Sequence, residues 1–274
     1  MPTVDVPVTG GISKANYFVA GNGPGLVLVH GTGATGQGTW GPLVETLSNQ
    51  YTIVAPDLPG SGDTRDPGGP ITIRDLVAHV VAAALDAGLD SFHLIGHSLG
   101  AVVATATASL HPDMVRSLTA HAGWIKPDPQ MVFQFELWKQ LVLTDPPAMA
   151  RVLLLTAMGK DTLHAWDRTG FEQAAEAFTD LLDGAKDGFA RQSEADMTID
   201  ITDFLPNVTA PTLIISSADD RIVPPHHQYE LAERIPHATL LRVPGGHGLP
   251  AENPTLLATK ITEYLDQVNS LPHL

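Results

Sequence analysis

Short, nearly all-apolar runs that alternate with helix-compatible stretches set the tightest limit on what this chain can fold into. Runs at 26–30, 52–58, 92–95, 115–120, 212–215 and 239–243 read as strands. A helix-compatible stretch ends at Leu47, and others span 73–87, 99–110, 227–235 and 255–268. Strand followed by helix, repeated, implies parallel pairing with crossover helices, so the fold class is α/β. The alternation stops after Gly123 and resumes near Thr212. Between them Phe133, Leu137 and Leu141, then Trp166, Phe171 and Phe178, recur without β-type alternation, which reads as helix. We therefore expect one core made of 1–123 and 204–274, with 124–203 inserted as a helical cap. The first 24 residues read as an edge hairpin broken at Gly10-Gly11.

Composition removes several function classes. At 274 residues the chain can bury one substantial core. Thirty acidic against fifteen basic side chains give a net charge of −15, which repels phosphate backbones and anionic lipid surfaces, so neither nucleic acid nor membrane is expected as a partner. The absence of cysteine excludes disulfides, thiolate metal sites and a cysteine nucleophile. No apolar stretch reaches membrane-spanning length and residues 1–10 lack the pattern of a secretion signal, so a cytoplasmic location is expected.

Two glycine patterns compete for the function. Gly31-Thr32-Gly33-Ala34-Thr35-Gly36 fits the dinucleotide fingerprint between a strand and a helix, with Asp57 ending the next strand where a ribose-binding acid would stand. That reading implies an NAD(P)-dependent oxidoreductase. Gly96-His97-Ser98-Leu99-Gly100 fits a nucleophile elbow, also between strand and helix. An elbow forces Ser98 into a strained turn, and glycines at 96 and 100 remove side chains that would strike the neighbouring strand and helix. It also calls for an acid and then a histidine downstream, each just after a later strand. Asp220 and His247 stand in that order, His247 within Pro244-Gly245-Gly246-His247-Gly248. The dinucleotide reading leaves His247 without a role.

His30-Gly31, Ala55-Pro56-Asp57-Leu58-Pro59-Gly60, the elbow, Ala210-Pro211-Thr212-Leu213-Ile214, Asp220-Arg221-Ile222-Val223-Pro224 and Gly246-His247 together make residues 25–123 and 205–268 similar to the α/β-hydrolase superfamily. The resemblance implies a mostly parallel sheet of about eight strands flanked by helices, with catalytic groups on loops at the strands' carboxyl ends. It also implies a helical cap after the sixth strand and an oxyanion-hole loop after His30-Gly31.

In that reading Ser98 attacks a carbonyl carbon, His247 is the general base and Asp220 orients the imidazole. Backbone N–H groups of Leu99 and Thr32 bind the oxyanion. Hydrolysis of an ester, thioester or lactone of a small to medium hydrophobic substrate is the leading expectation, with no cofactor and no metal. C–C bond hydrolysis and cofactor-free haloperoxidase or perhydrolase chemistry use the same triad. A non-hydrolytic tailoring enzyme or a ligand-binding protein on the same scaffold is a further alternative. His97, Trp124, Phe133 and Trp138 are candidates for substrate contact. Asp219 is the competing acid and Asp128 a remoter one, while His226-His227 lack metal-ligand spacing. The small-molecule substrate is the one partner expected; the oligomeric state stays open.

Overall fold

In the computed structural model, which describes residues 1–270, the apolar runs become strands. They are β1 (Thr3–Val8), β2 (Gly11–Ala20), β3 (Gly25–Val29), β4 (Thr52–Pro56), β5 (Phe92–His97), β6 (Val115–His121), β7 (Thr212–Ser217) and β8 (Thr239–Val243). One sheet results, ordered β1-β2-β4-β3-β5-β6-β7-β8. The β1–β2 hairpin is antiparallel and joins β4 antiparallel, and every pairing beyond it is parallel. This is the α/β-hydrolase arrangement. The last four positions of the expected core segment 204–274 lie outside the described residues.

Among the described residues ten α-helices accompany the strands: α1 (Gly36–Leu47), α2 (Ile73–Asp86), α3 (Leu99–Leu110), α4 (Pro129–Thr144), α5 (Pro146–Ala157), α6 (Lys160–Ala165), α7 (Arg168–Asp196), α8 (Pro225–Arg234), α9 (Leu249–Glu252) and α10 (Pro254–Ser270). Helices cover both faces of the sheet, which explains why the central strands are apolar without alternation. Val27, Val29, Val54, Leu94 and Ile214 join the core on the side of α2, α3 and α8. Leu26, Leu28, Ile53, Ile95, Leu213 and Ile215 join the core on the side of α1 and α10. Helix starts carry their own signals. Thr72 and Asp75 form a reciprocal capping box at α2, and the Asp75 carboxylate also accepts the Thr9 N–H (2.9 Å) and hydroxyl (2.8 Å) at the end of β1. Thr72→Ala is expected to cost about 1 kcal/mol, read as a lower urea midpoint at unchanged slope.

Helices α4 to α7 fill the interval between β6 and β7. Asp128, Asp145 and Asp167 cap α4, α5 and α7 by accepting the N–H groups of Met131, Ala148 and Gly170. No helix among the described residues is long and apolar enough to cross a membrane.

Parallel register brings the carboxyl ends of the central strands to one rim. Val29 pairs with Gly96, His97 with His121, His121 with Ile215, and Ser217 with Val243. The loops that carry Gly31, Ser98, Asp220 and His247 therefore emerge on the same edge.

Candidate active site

Ser98 turns the chain from β5 into α3 with φ 56° and ψ −124°. Such a backbone costs a non-glycine residue about 1–3 kcal/mol and persists only where the surroundings impose it. Here the Ser98 N–H donates to the His121 carbonyl oxygen (2.9 Å) and the Ser98 carbonyl accepts the Ala101 N–H (2.9 Å). A Cβ at Gly96 would lie 2.1 Å from the Gly100 carbonyl oxygen, and one at Gly100 would lie 2.2 Å from that of Val29. Strand, turn and helix close around Ser98 because both positions lack a side chain. Gly100→Ala is expected to cost about 3 kcal/mol by overpacking, measured by chemical denaturation.

His247 follows β8, and its Nδ1 lies 2.9 Å from Asp220 Oδ2. The other carboxylate oxygen, Oδ1, accepts the N–H groups of Ile222 (2.9 Å) and Val223 (2.8 Å). A carboxylate fixed as acceptor requires the proton on Nδ1, which leaves the Nε2 lone pair free to take a proton. Asp219, the competing acid, pairs with Lys160 (3.0 Å) instead. The remoter acid, Asp128, stands beside His226 and His227. The His247 ring is 4.9 Å from that of His97, the residue before Ser98. Ser98, His247 and Asp220 are 7%, 6% and 4% exposed. Among the described residues the Ser98 hydroxyl makes no hydrogen bond, and contacts between nucleophile and base commonly tighten only when substrate binds.

Three more imidazoles line this rim, and burial keeps each neutral. His97 Nδ1 is 3.0 Å from His121 Nδ1, and His121 Nε2 is 2.9 Å from Ser217 Oγ. Burial pulls His121 down to about 3 and His97 well below the usual imidazole range. His30 accepts the Leu58 N–H at Nε2 (2.9 Å), so its Nδ1–H donates to the Gly31 carbonyl (2.7 Å), and burial pulls it down to about 4. Of these four rings His247 alone has a carboxylate partner.

Two backbone donors next to this turn and loop have no protein acceptor among the described residues: Leu99 N–H, at the first turn of α3, and Thr32 N–H. Their neighbours are engaged. Gly33 N–H donates to Gln192 Oε1 and Gly36 N–H to Asp57 Oδ1, each at 2.7 Å. The Gly33 and Gly36 amides are thus spent within the protein instead of facing a pyrophosphate. Asp57, buried at the start of α1 and pushed up to about 6 by desolvation, serves that turn and not a ribose.

Sequence reasoning missed the far partners of this loop. The C-terminal part of α7 grips it: Asp196 Oδ2 accepts the Thr32 hydroxyl (2.7 Å), and Phe189 packs against Gly33. Gln192 Nε2 donates to the Pro59 carbonyl (2.8 Å) and to Ser61 Oγ (2.9 Å). The only available signal was the i, i+4 spacing of Gln192 and Asp196 on a helix. Burial pushes the Asp196 carboxyl up to about 7. A carboxyl raised in the folded state stabilises the fold while protonated. Its contribution is complete below about pH 4 and is lost as pH rises through about 7. Asp196→Asn, which can still accept the Thr32 hydroxyl, is expected to flatten this dependence. Its Tm should match the parent near pH 4 and exceed it at pH 8, and a variant less stable at both values would contradict the assignment.

A sequence model of the alpha/beta hydrolase fold matches residues 24–254. The chain belongs to the alpha/beta hydrolase family. Pyrrolizixenacetamide deacetylase of Xenorhabdus hominickii is 36% identical over 256 residues, covering 93% of this chain and 96% of that one. Among solved structures, a thermophilic esterase from Thermogutta terrifontis superimposes with a TM-score of 0.84 at 24% identity, covering 98% of this chain and 99% of that one. An enol-lactonase from Burkholderia xenovorans does so at 0.83 and 22%, covering 97% and 100%. These two likenesses describe the fold, and the family makes the chain a hydrolase enzyme.

The hydrolase places its aromatic side chains unevenly around the rim. Trp124, Phe135, Trp138 and Phe189 form a buried row, with successive ring centroids 6.0, 5.3 and 5.8 Å apart. This row links the end of β6 to the Thr32 loop through α4 and α7. Phe133, expected at the substrate, is instead 75% exposed on the outer side of α4. The inner face of α4 is Met131, Phe135, Trp138 and Val142, and position 133 falls on the opposite side of that 3.6-residue repeat. A cavity of about 830 Å³ lies on the insert between α5 and α7, lined by Leu154, Leu155 and Phe171 among others, and reaches none of Ser98, Asp220 or His247.

Proposed function

We propose that this enzyme is a serine hydrolase that removes a short acyl group, acetyl first among them, from a small hydrophobic ester or amide. Ser98 attacks the carbonyl carbon, and His247 Nε2 takes the hydroxyl proton and returns it to the departing oxygen or nitrogen. Asp220 holds the imidazole in the competent tautomer and stabilises its charged form. The N–H groups of Leu99 and Thr32 receive the oxyanion, a term worth about 3 kcal/mol for each donor. Water, activated by the same imidazole, then cleaves the acyl-enzyme.

The single observation that carries this reading is the Asp220-oriented His247 at the rim where a strained serine turn meets two unengaged N–H groups. The nearly complete burial of Ser98 and His247 favours a small acyl group, and the relative named a deacetylase supports an acetyl group on nitrogen as well as oxygen. In this reading 124–203 is the cap that covers the site, with His97, Trp124 and Trp138 around it.

A fluorophosphonate probe tests the nucleophile: labelling of the parent at Ser98, and none of Ser98→Ala, is expected. A series of p-nitrophenyl esters with an acetanilide tests the acyl group. The value of kcat/KM should be highest for acetyl and fall with chain length. An unlabelled parent would end the proposal, and a maximum at long acyl chains would end its substrate half.

A further inference from the structure

One cluster outside the proposed triad is built like a metal site. His226 and His227 lie in the first turn of α8, six and seven residues after Asp220, and Asp128 caps α4 at the start of the insert. Asp128 divides its oxygens. Oδ1 accepts the Met131 N–H (2.8 Å) as the cap, while Oδ2 lies 3.5 Å from His226 Nε2 and 3.3 Å from His227 Nε2. All three ligand atoms fall within 4.8 Å of one another. A tetrahedron with metal–ligand bonds of 2.0–2.1 Å has edges of about 3.3 Å, the separation seen from the carboxylate to each imidazole.

The contact to His227 lacks hydrogen-bond geometry. His227 is 4% exposed, and its Nε2 is buried beside the carboxylate yet has no partner in hydrogen-bond alignment among the described residues. A buried ring nitrogen left unpaired is costly, and a shared ion satisfies it through the lone pair. We propose that Asp128, His226 and His227 bind one divalent transition ion, with zinc the best fit to two imidazoles and a carboxylate, and water completing the shell.

The position gives the ion a role. The insert and the loop carrying Asp220 already touch through Gln134 Nε2, which donates to the Ile222 carbonyl (3.2 Å). The ion adds a second tie between α4 and α8 on either side of that loop. The positive ends of both helices point at the site and oppose a cation, so the affinity belongs in the micromolar range and not that of a four-ligand structural zinc. The proposal is independent of the function assigned to Ser98.

Untagged protein stripped with a chelator is titrated with Zn2+ by calorimetry and with Co2+ by visible absorption. One saturable equivalent is expected, with Co2+ bands of a low-symmetry site of low coordination number, and a Tm that rises with Zn2+. His226→Ala and Asp128→Asn should each weaken binding at least about tenfold and abolish the Tm response. Position 226 is largely exposed and asparagine still caps a helix, so both chelated variants should melt as the parent does. Equal affinity in the parent and either variant, or no saturable equivalent in the parent, overturns the site and leaves an ordinary histidine–carboxylate pair.

Discussion

Ser98→Ala is expected to lower kcat by about 10⁴-fold or more on any acyl substrate the enzyme accepts, while leaving Tm unchanged. The residual rate would come from the Leu99 and Thr32 donors and from binding alone, which do not depend on the hydroxyl. Stability should be unaffected because the hydroxyl has no hydrogen bond to lose among the described residues, and alanine meets the same backbone strain at φ 56° that serine already bears. Steady-state kinetics with a melting curve decide the matter. A variant retaining activity within tenfold of the parent would remove Ser98 from the chemistry, whatever the local geometry suggests.

Asp220→Asn should be nearly as severe, about 10⁴-fold in kcat, by a different route. An asparagine keeps Oδ1 as acceptor for the Ile222 and Val223 N–H groups, so the loop is held as before. Its amide then faces His247 Nδ1 with a donor where an acceptor stood. The ring answers by moving its proton to Nε2, where it blocks the lone pair that must receive the serine proton. KM should barely change, because position 220 meets the imidazole and not the substrate. Asp219→Asn supplies the control: it loses only an exposed pair with Lys160, and kcat should stay within about twofold of the parent. Equal losses in the two variants would mean the carboxylate acts through general electrostatics and not through the tautomer.

Much of the fold was legible because the physics that builds it is local. The run Leu26-Val27-Leu28-Val29 is apolar on both faces since helices cover both, and its strand period is written directly into the chain. The elbow was legible for a related reason. Gly96 and Gly100 are demanded by backbone carbonyls within the same strand–turn–helix unit or on the adjacent strand. Gln192 and Asp196 were not legible, because their partners lie some 160 positions away and polar residues one helical turn apart look like a solvated face until something is packed on it. Phe133 failed in the opposite sense. A large aromatic suggests a lining, yet the repeat of Met131, Phe135 and Trp138 sends it outward. His226 and His227 were set aside on spacing within one segment. Their third neighbour, Asp128, arrives from the start of the insert, and only the folded chain brings it there.

The grip of α7 on the Thr32 loop joins the insert to the backbone that the proposed mechanism uses. Helix α7 supplies Gln192 to Gly33 and Asp196 to Thr32. If α7 swings away to admit a reactant, those two contacts are lost, and with them the bracing of the backbone that the proposed mechanism assigns to the oxyanion. Under the proposed mechanism, bond breaking would then wait until α7 has returned and the Thr32 strip is braced again.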